Sequence, residues 1–386
     1  MARLASIFDR WIWNLVPPSR ESLGIFRILF AGYFLLAGMP ALVWLGDIPD
    51  TLYNAPLGPF QLFTGFPPGW FFHALSLALC LSITALALGY RTRLVSILTP
   101  LLMMIGFGFS YSLGKQNSTG LLLLVPLVLS ASTWGEAYSL DSLRSARKGQ
   151  ADPEPSDGFR SRWPLALLAF LLGMLMFTAA VPKFTSGWLD TGTQAVRGHF
   201  FVQYFADDQR DLLADTFVRF HSQVFWEALD WMTIVLEGGF LFAVLSRRVF
   251  RLFLAVAVLF HLGVLSMMNI GFSVNLIGYA AFVNWEPVLA PILRRGAALG
   301  ARVERLVRGW GAAQVLGVAL AYFVLFRLVG RPLFTALEGV GFDPPTIPAD
   351  VVLMVPATVI AVGYLVTRFT GWRPQRPTAV APSPAA

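Results

Sequence analysis

The chain has 386 residues, of which 56% are hydrophobic and only 13% charged, and its formal net charge is +7. Water-soluble domains carry about 25% charged residues, so a soluble globular fold is excluded and an all-α, polytopic transmembrane helix bundle without a large soluble domain is expected. The positive balance points to basic loops lying against anionic lipid rather than to nucleic acid. The single cysteine, Cys80, sits in an apolar run, excludes an intramolecular disulfide and reads as a small core residue.

The first 21 residues read as a cytoplasmic arm, and they lack the apolar core and cleavage site of a removable signal peptide. A membrane-crossing helix needs about 20 mostly apolar residues. In chain order the candidates are 23–45, 70–88, 94–113, 121–132, 163–181, 225–245, 252–268, 272–283, 312–328 and 351–366. Two of them, 121–132 and 272–283, are short and follow polar breaks, so tilted or partly buried helices are expected there. Such interrupted segments often line binding sites in transporters. The stretch KGQADPEPS before Asp157 reads as a flexible linker. The long connection 182–224, with Trp188, Phe200, Phe201 and Tyr204 among acids, is expected to include a helix lying over one mouth of the bundle.

With ten spans, 21 Lys and Arg residues fall in loops on one side and seven on the other, with Arg27 inside the first span. The positive-inside rule then puts both termini in the cytoplasm and Lys115, Lys183 and His199 outside. The segment 286–311 becomes a basic cytoplasmic loop, 312–367 two additional spans, and 368–386 a disordered cytoplasmic tail.

Ionisable groups at membrane depth are expensive and face the bundle interior or a cavity. Arg27, one turn into the first span, either snorkels or pairs inward. Glu237, followed by two glycines, reads as half of an ion pair or as part of a site. His261, about three turns before the break at Asn269, is a hydrogen-bonded core group or a proton shuttle. No Ser/His/Asp arrangement and no metal-ligand spacing is present, so no metal is expected. Lys115 in YSLGKQNSTG is either an interfacial anchor or a buried base. Its neighbours Gln116, Asn117, Ser118 and Thr119 are uncharged, and a following helix N-terminus would disfavour an ammonium ion. Arg27, Lys115, Glu237 and His261 are expected to converge on one outward-opening cavity.

Six pieces in register carry a resemblance: ESLGIFRILFAGYFLL (21–36), LGYRTR (88–93), YSLGKQNS (111–118), AYSLDSL (137–143), FTAAVPKFTSGWLD (177–190) and FHLGVLSMMNIGFS (260–273). They resemble the vitamin K-dependent gamma-carboxylase family, whose bacterial branch is called the horizontally transferred transmembrane domain, or HTTM. The resemblance assigns 22–285 to that domain. It implies a bacterial inner-membrane bundle whose site opens outward and which uses a reduced quinone of the vitamin K or menaquinone type. In that chemistry oxygen oxidises the hydroquinone and carboxylation of a glutamate is coupled to it. The resemblance matches Lys115 to the family's base and also covers His261, Lys183 and Arg27. With the depth of Glu237 and the polar neighbours Asn117 and Asn269, Lys115 and His261 are expected to be catalytic and Arg27, Asn117, Lys183, Glu237 and Asn269 to line the quinone pocket. After Pro287 the chain has no counterpart of the luminal domain that binds propeptides in the animal enzymes. A peptide or small acidic substrate, or a partner protein, is therefore expected to supply the acceptor. The alternative readings are a non-catalytic membrane scaffold or maturation partner with a quinone- or lipid-sized cavity, and a transporter.

Overall fold

The computed structural model describes residues 19–114, 120–149, 159–325, 328 and 347–370. Among them every regular element is helical. The first helix, α1 (Arg20–Tyr33), starts where the Ser19 hydroxyl accepts from the Ser22 amide, and it runs into a π turn over Phe34–Gly38. Then come α2 (Gly69–Leu88), α3 (Thr92–Tyr111), the ten-residue α4 (Gly120–Leu129) and the short polar α5 (Leu140–Arg147). They are followed by α6 (Phe159–Thr185), α7 (Ala195–Phe201), α8 (Gln223–Ala243) and α9 (Arg247–Met268). The rest is α10 (Ser273–Tyr279), α11 (Trp285–Arg295), α12 (Ala297–Val307), α13 (Ala312–Leu325) and α14 (Ile347–Thr370).

Each of the ten apolar segments of the sequence contains a helix, but fewer than ten are self-sufficient as membrane crossings. Among the described residues six helices have the length and apolar composition to cross, or up to eight if each of two bent pairs counts as one span. The physical reasons are local. Helix α4 is only ten residues long, about 15 Å at 1.5 Å per residue. Helix α8 is long enough but carries Glu227, Asp230 and Glu237. Helix α10 ends in a 3₁₀ turn over Ala280–Phe282, and the chain then bends by 91° into α11.

Long-range contacts sort the loops into two ends. At one end the Ser22 hydroxyl donates to Asn284 Oδ1 at 2.7 Å, Asp141 accepts from the Arg91 and Thr92 amides, and Arg144 donates to the Trp310 carbonyl at 3.0 Å. We call this the basic end. At the distal end the Leu213 amide donates to the Ser266 carbonyl, and the Tyr33 and Ser273 hydroxyls lie 3.0 Å apart. This grouping matches alternating passage of the chain through the bundle. One large apolar core runs through α1–α4, α6 and α8–α10, with Phe26, Phe30, Phe34, Phe72 and Phe240 fully buried. A smaller one, around Trp188, Phe200 and Trp226, packs the 186–224 connection onto α8 and the end of α9.

Candidate functional site

Five of the six sequence pieces fold into two polar groups, one at each end, and the sixth, 111–118, lies partly outside the described residues. At the basic end, Arg27 is fully buried and its guanidinium donates only to backbone. Nη1 reaches the Trp134 carbonyl at 2.9 Å and the Ala137 carbonyl at 3.4 Å, and Nη2 reaches the Tyr138 carbonyl at 2.5 Å. A planar fork of donors suits this task, because the 130–139 turn leaves several carbonyls pointing inward with no helix to pair them. Gly89 must come close: at φ +66° a Cβ there would lie 2.3 Å from Ser139 Cβ and 2.8 Å from Arg27 Nη1. Asp141 completes the knot by accepting from the amides of Arg91 and Thr92 at the start of α3 and from the Thr92 hydroxyl at 2.8 Å. ESLGIFR, LGYRTR and AYSLDSL thus form one structural fastening. Arg27 makes none of its hydrogen bonds to the other expected pocket residues.

The second group lies toward the distal end. Lys183 on α6 and Glu237 on α8 form an ion pair, Nζ to Oε2 at 2.5 Å, with side chains 20% and 14% exposed. Gly238 lets the two helices approach, since Ala180 and Phe184 of α6 stand directly against it. The Lys183 ammonium also lies 5.2 Å over the Trp188 ring, which is 5.5 Å from the His199 ring. The pair is therefore tied to the connection that covers this end, and α7 in that connection is held by Asp230, which accepts from the Ala195 and Val196 amides at 2.8 and 2.7 Å.

His261 on α9 is 3% exposed. Its Nε2 is 2.9 Å from the Tyr279 hydroxyl, and its ring stacks on Phe272 at 4.1 Å between centroids. Tyr279 lies within electrostatic range of Glu237 and has the Asn275 side chain as a further polar neighbour. His261 and Tyr279 are thus joined across α9 and α10, and the Tyr279 ring stacks on Phe240 of α8, three residues after Glu237. Asn269 caps α9 in the left-handed conformation at φ +52° and is 7% exposed. Both its side-chain polar atoms, and His261 Nδ1, lack a hydrogen-bond partner among the described residues. Just beyond, Asp350 of α14 accepts from the Ser273 amide at 2.7 Å and lies so close to Gly271 that any side chain there would overlap its carboxylate.

Lys115 and Asn117 lie outside the described residues. Their flanks do not: α3 ends at Tyr111, and Gly120 at the start of α4 faces Leu175 of α6. Helix α4 also packs on α10, where Gly278 meets Leu121. The two short helices that follow the polar breaks therefore stand side by side. The sequence did not single out Tyr279, Asn275 and Asp350. Tyr279 and Asn275 stand four residues apart and so share one face of α10, a spacing that could have marked them. Asp350 gave no such signal. Among the described residues no group of three or more His, Cys, Asp or Glu is arranged for a metal ion.

No curated protein and no solved structure matches this chain. A family model for the HTTM domain matches residues 16–284, more than half of its length, and the match encloses both polar groups up to Asn275 and Tyr279 while leaving Asp350 outside. The chain is a membrane protein of the HTTM domain family.

Proposed function

We propose that the distal polar group is the reaction site of a quinone-dependent oxidation carried out in the bacterial inner membrane, coupled to carboxylation of an acidic substrate supplied by a separate molecule. The observation that carries this reading is the set of unpaired buried atoms, His261 Nδ1 and both polar atoms of Asn269, beside the His261–Phe272 stack. A buried amide or imidazole nitrogen without a partner costs about 1–3 kcal/mol, and such groups persist where a ligand completes them. An aromatic wall with a few convergent polar groups fits a quinone ring. When bound, a reduced quinone supplies the electrons for oxygen, one oxygen atom entering the quinone epoxide and the other leaving as water.

The protein's own residues have separable tasks. Tyr279 holds His261 at Nε2, leaving Nδ1 to exchange a proton or hold a ligand oxygen. Asn269 can offer both a donor and an acceptor to a polar ring substituent. Lys183 and Glu237 neutralise each other and hold α6 against α8. Lys115 takes the role of base, which a desolvated amine can fill and a guanidinium cannot.

The test is oxygen-dependent epoxidation of reduced menaquinone or vitamin K by the purified protein in detergent. Turnover is expected in the wild type and loss in a folded Lys115→Arg protein. Full turnover by Lys115→Arg would remove the base role. Absence of epoxidation across several quinones in the wild type would replace catalysis with the scaffold reading.

A further inference from the structure

Immediately after the HTTM domain match, α11 and α12 change direction relative to the helices on either side of them. Helix α11 bends 91° from the α10 segment, and α12 meets α13 at 115°. Both ends are docked at the basic end. The Glu286 amide donates to the Ser22 hydroxyl, the Trp310 carbonyl accepts from Arg144, and Trp285, Val307 and Trp310 pack on the core. Between these points α12 is divided by face. Leu299, Val303 and Leu306, spaced four and three residues apart, lie on one stripe and are 48–70% exposed. Arg302 borders this stripe, Arg305 falls on the other side and Arg308 follows at the C-cap, with Glu304 as the only acid in the helix. Arg294 and Arg295 add two more cations at the end of α11.

A helix with an exposed apolar stripe bordered and backed by arginines, bent by 115° from the helix that follows it, suits the plane of the bilayer interface. We infer that α12, with the end of α11, is an in-plane membrane anchor that selects anionic phospholipid. Leu299, Val303 and Leu306 enter the acyl boundary, and Arg302, Arg305 and Arg308 reach the headgroup phosphates. The single i,i+4 pair between Arg308 and Glu304, at 2.7 Å and solvent-exposed, is too weak to compete with a phosphate layer. Charge complementarity commits the surface to an anionic membrane, and the reading stands apart from the quinone proposal.

The test places an environment-sensitive fluorophore on Leu299→Cys in a Cys80→Ala background and reconstitutes the full chain into mixed bilayers. Doxyl-labelled phosphatidylglycerol should quench it more strongly than doxyl-labelled phosphatidylcholine, by at least about fivefold, the enrichment expected from one arginine at an anionic surface. Iodide should quench a probe at Glu304→Cys and spare the one at 299. Replacing Arg294, Arg295, Arg302, Arg305 and Arg308 by Gln should bring the two lipids to parity. Equal quenching by both lipids in the arginine-containing protein would overturn the inference. So would iodide quenching at 299 as strong as at 304, which would place that face in water or against a soluble partner.

Discussion

The two ends of the bundle bury polar side chains to different purpose. At the basic end, Arg27 is surrounded by carbonyls that need donors, and it supplies three of them. At the distal end, His261 and Asn269 are almost as deeply buried, yet three of their four side-chain polar atoms have no partner among the described residues. A buried group that keeps most of its bonds, as Arg27 does with only Nε unpartnered among the described residues, explains its own presence by what it holds together. An unsatisfied one is a standing cost that packing alone does not explain. The contrast separates a fastening from a site, although one family domain encloses both.

If that division is right, substitutions in the fastening should damage folding first. Arg27→Ala leaves the Trp134, Ala137 and Tyr138 carbonyls without their donor, and at about 1–3 kcal/mol per orphaned group the loss should be at least about 3 kcal/mol. Fluorescence-detected size-exclusion after heating would register it as a large fall in melting temperature or as no folded protein. Arg27→Lys should recover little, since one ammonium cannot reproduce the fork. Gly89→Ala strains a left-handed position and collides with Ser139 and Arg27, so a loss of about 2 kcal/mol or more is expected.

The Lys183–Glu237 pair should fall between the two extremes. Glu237→Leu alone leaves a largely buried ammonium and should cost about 2 kcal/mol, less than for a pair fully shut off from solvent. Adding Lys183→Met should restore most of that stability, because apolar pairs often replace buried ion pairs without loss. A double variant as unstable as the single one would mean that the pair does more than neutralise itself.

Stability effects should be smallest at the unpaired groups. Tyr279→Phe keeps the ring against Phe240 and removes the hydroxyl's bond to His261 and its polar contact with Asn275, for about 1 kcal/mol. Asn269→Gly suits the left-handed cap and removes two orphaned atoms, so its stability should stay within about 0.5 kcal/mol of the wild type. A severe loss of stability in Asn269→Gly would show that the amide is structural and would erase the distinction between the ends.

Hydropathy made the helices legible, because a crossing segment must satisfy its backbone internally and so announces itself as an apolar run. Depth also marked Arg27, Glu237 and His261 as residues needing partners. It could not say which partners. Arg27 is met by carbonyls more than 100 residues away, groups that every residue carries and no sequence pattern distinguishes. Tyr279 was hidden because tyrosine is common in membrane helices. Asp350 was hidden because it arrives from beyond the domain the motifs define. The 91° bend after α10 was equally silent: Pro287 signals an interruption, but not the direction in which the chain leaves.

The division between fastening and site is tested most directly by measuring epoxidation and melting temperature together in Asn269→Gly and His261→Phe proteins. Both should remain folded, with Asn269→Gly melting near the wild type, and both should lose reduced-quinone turnover by at least about tenfold, as expected when a positioned hydrogen-bonding or proton-transfer group is removed. Wild-type turnover in both folded variants would contradict the distal site.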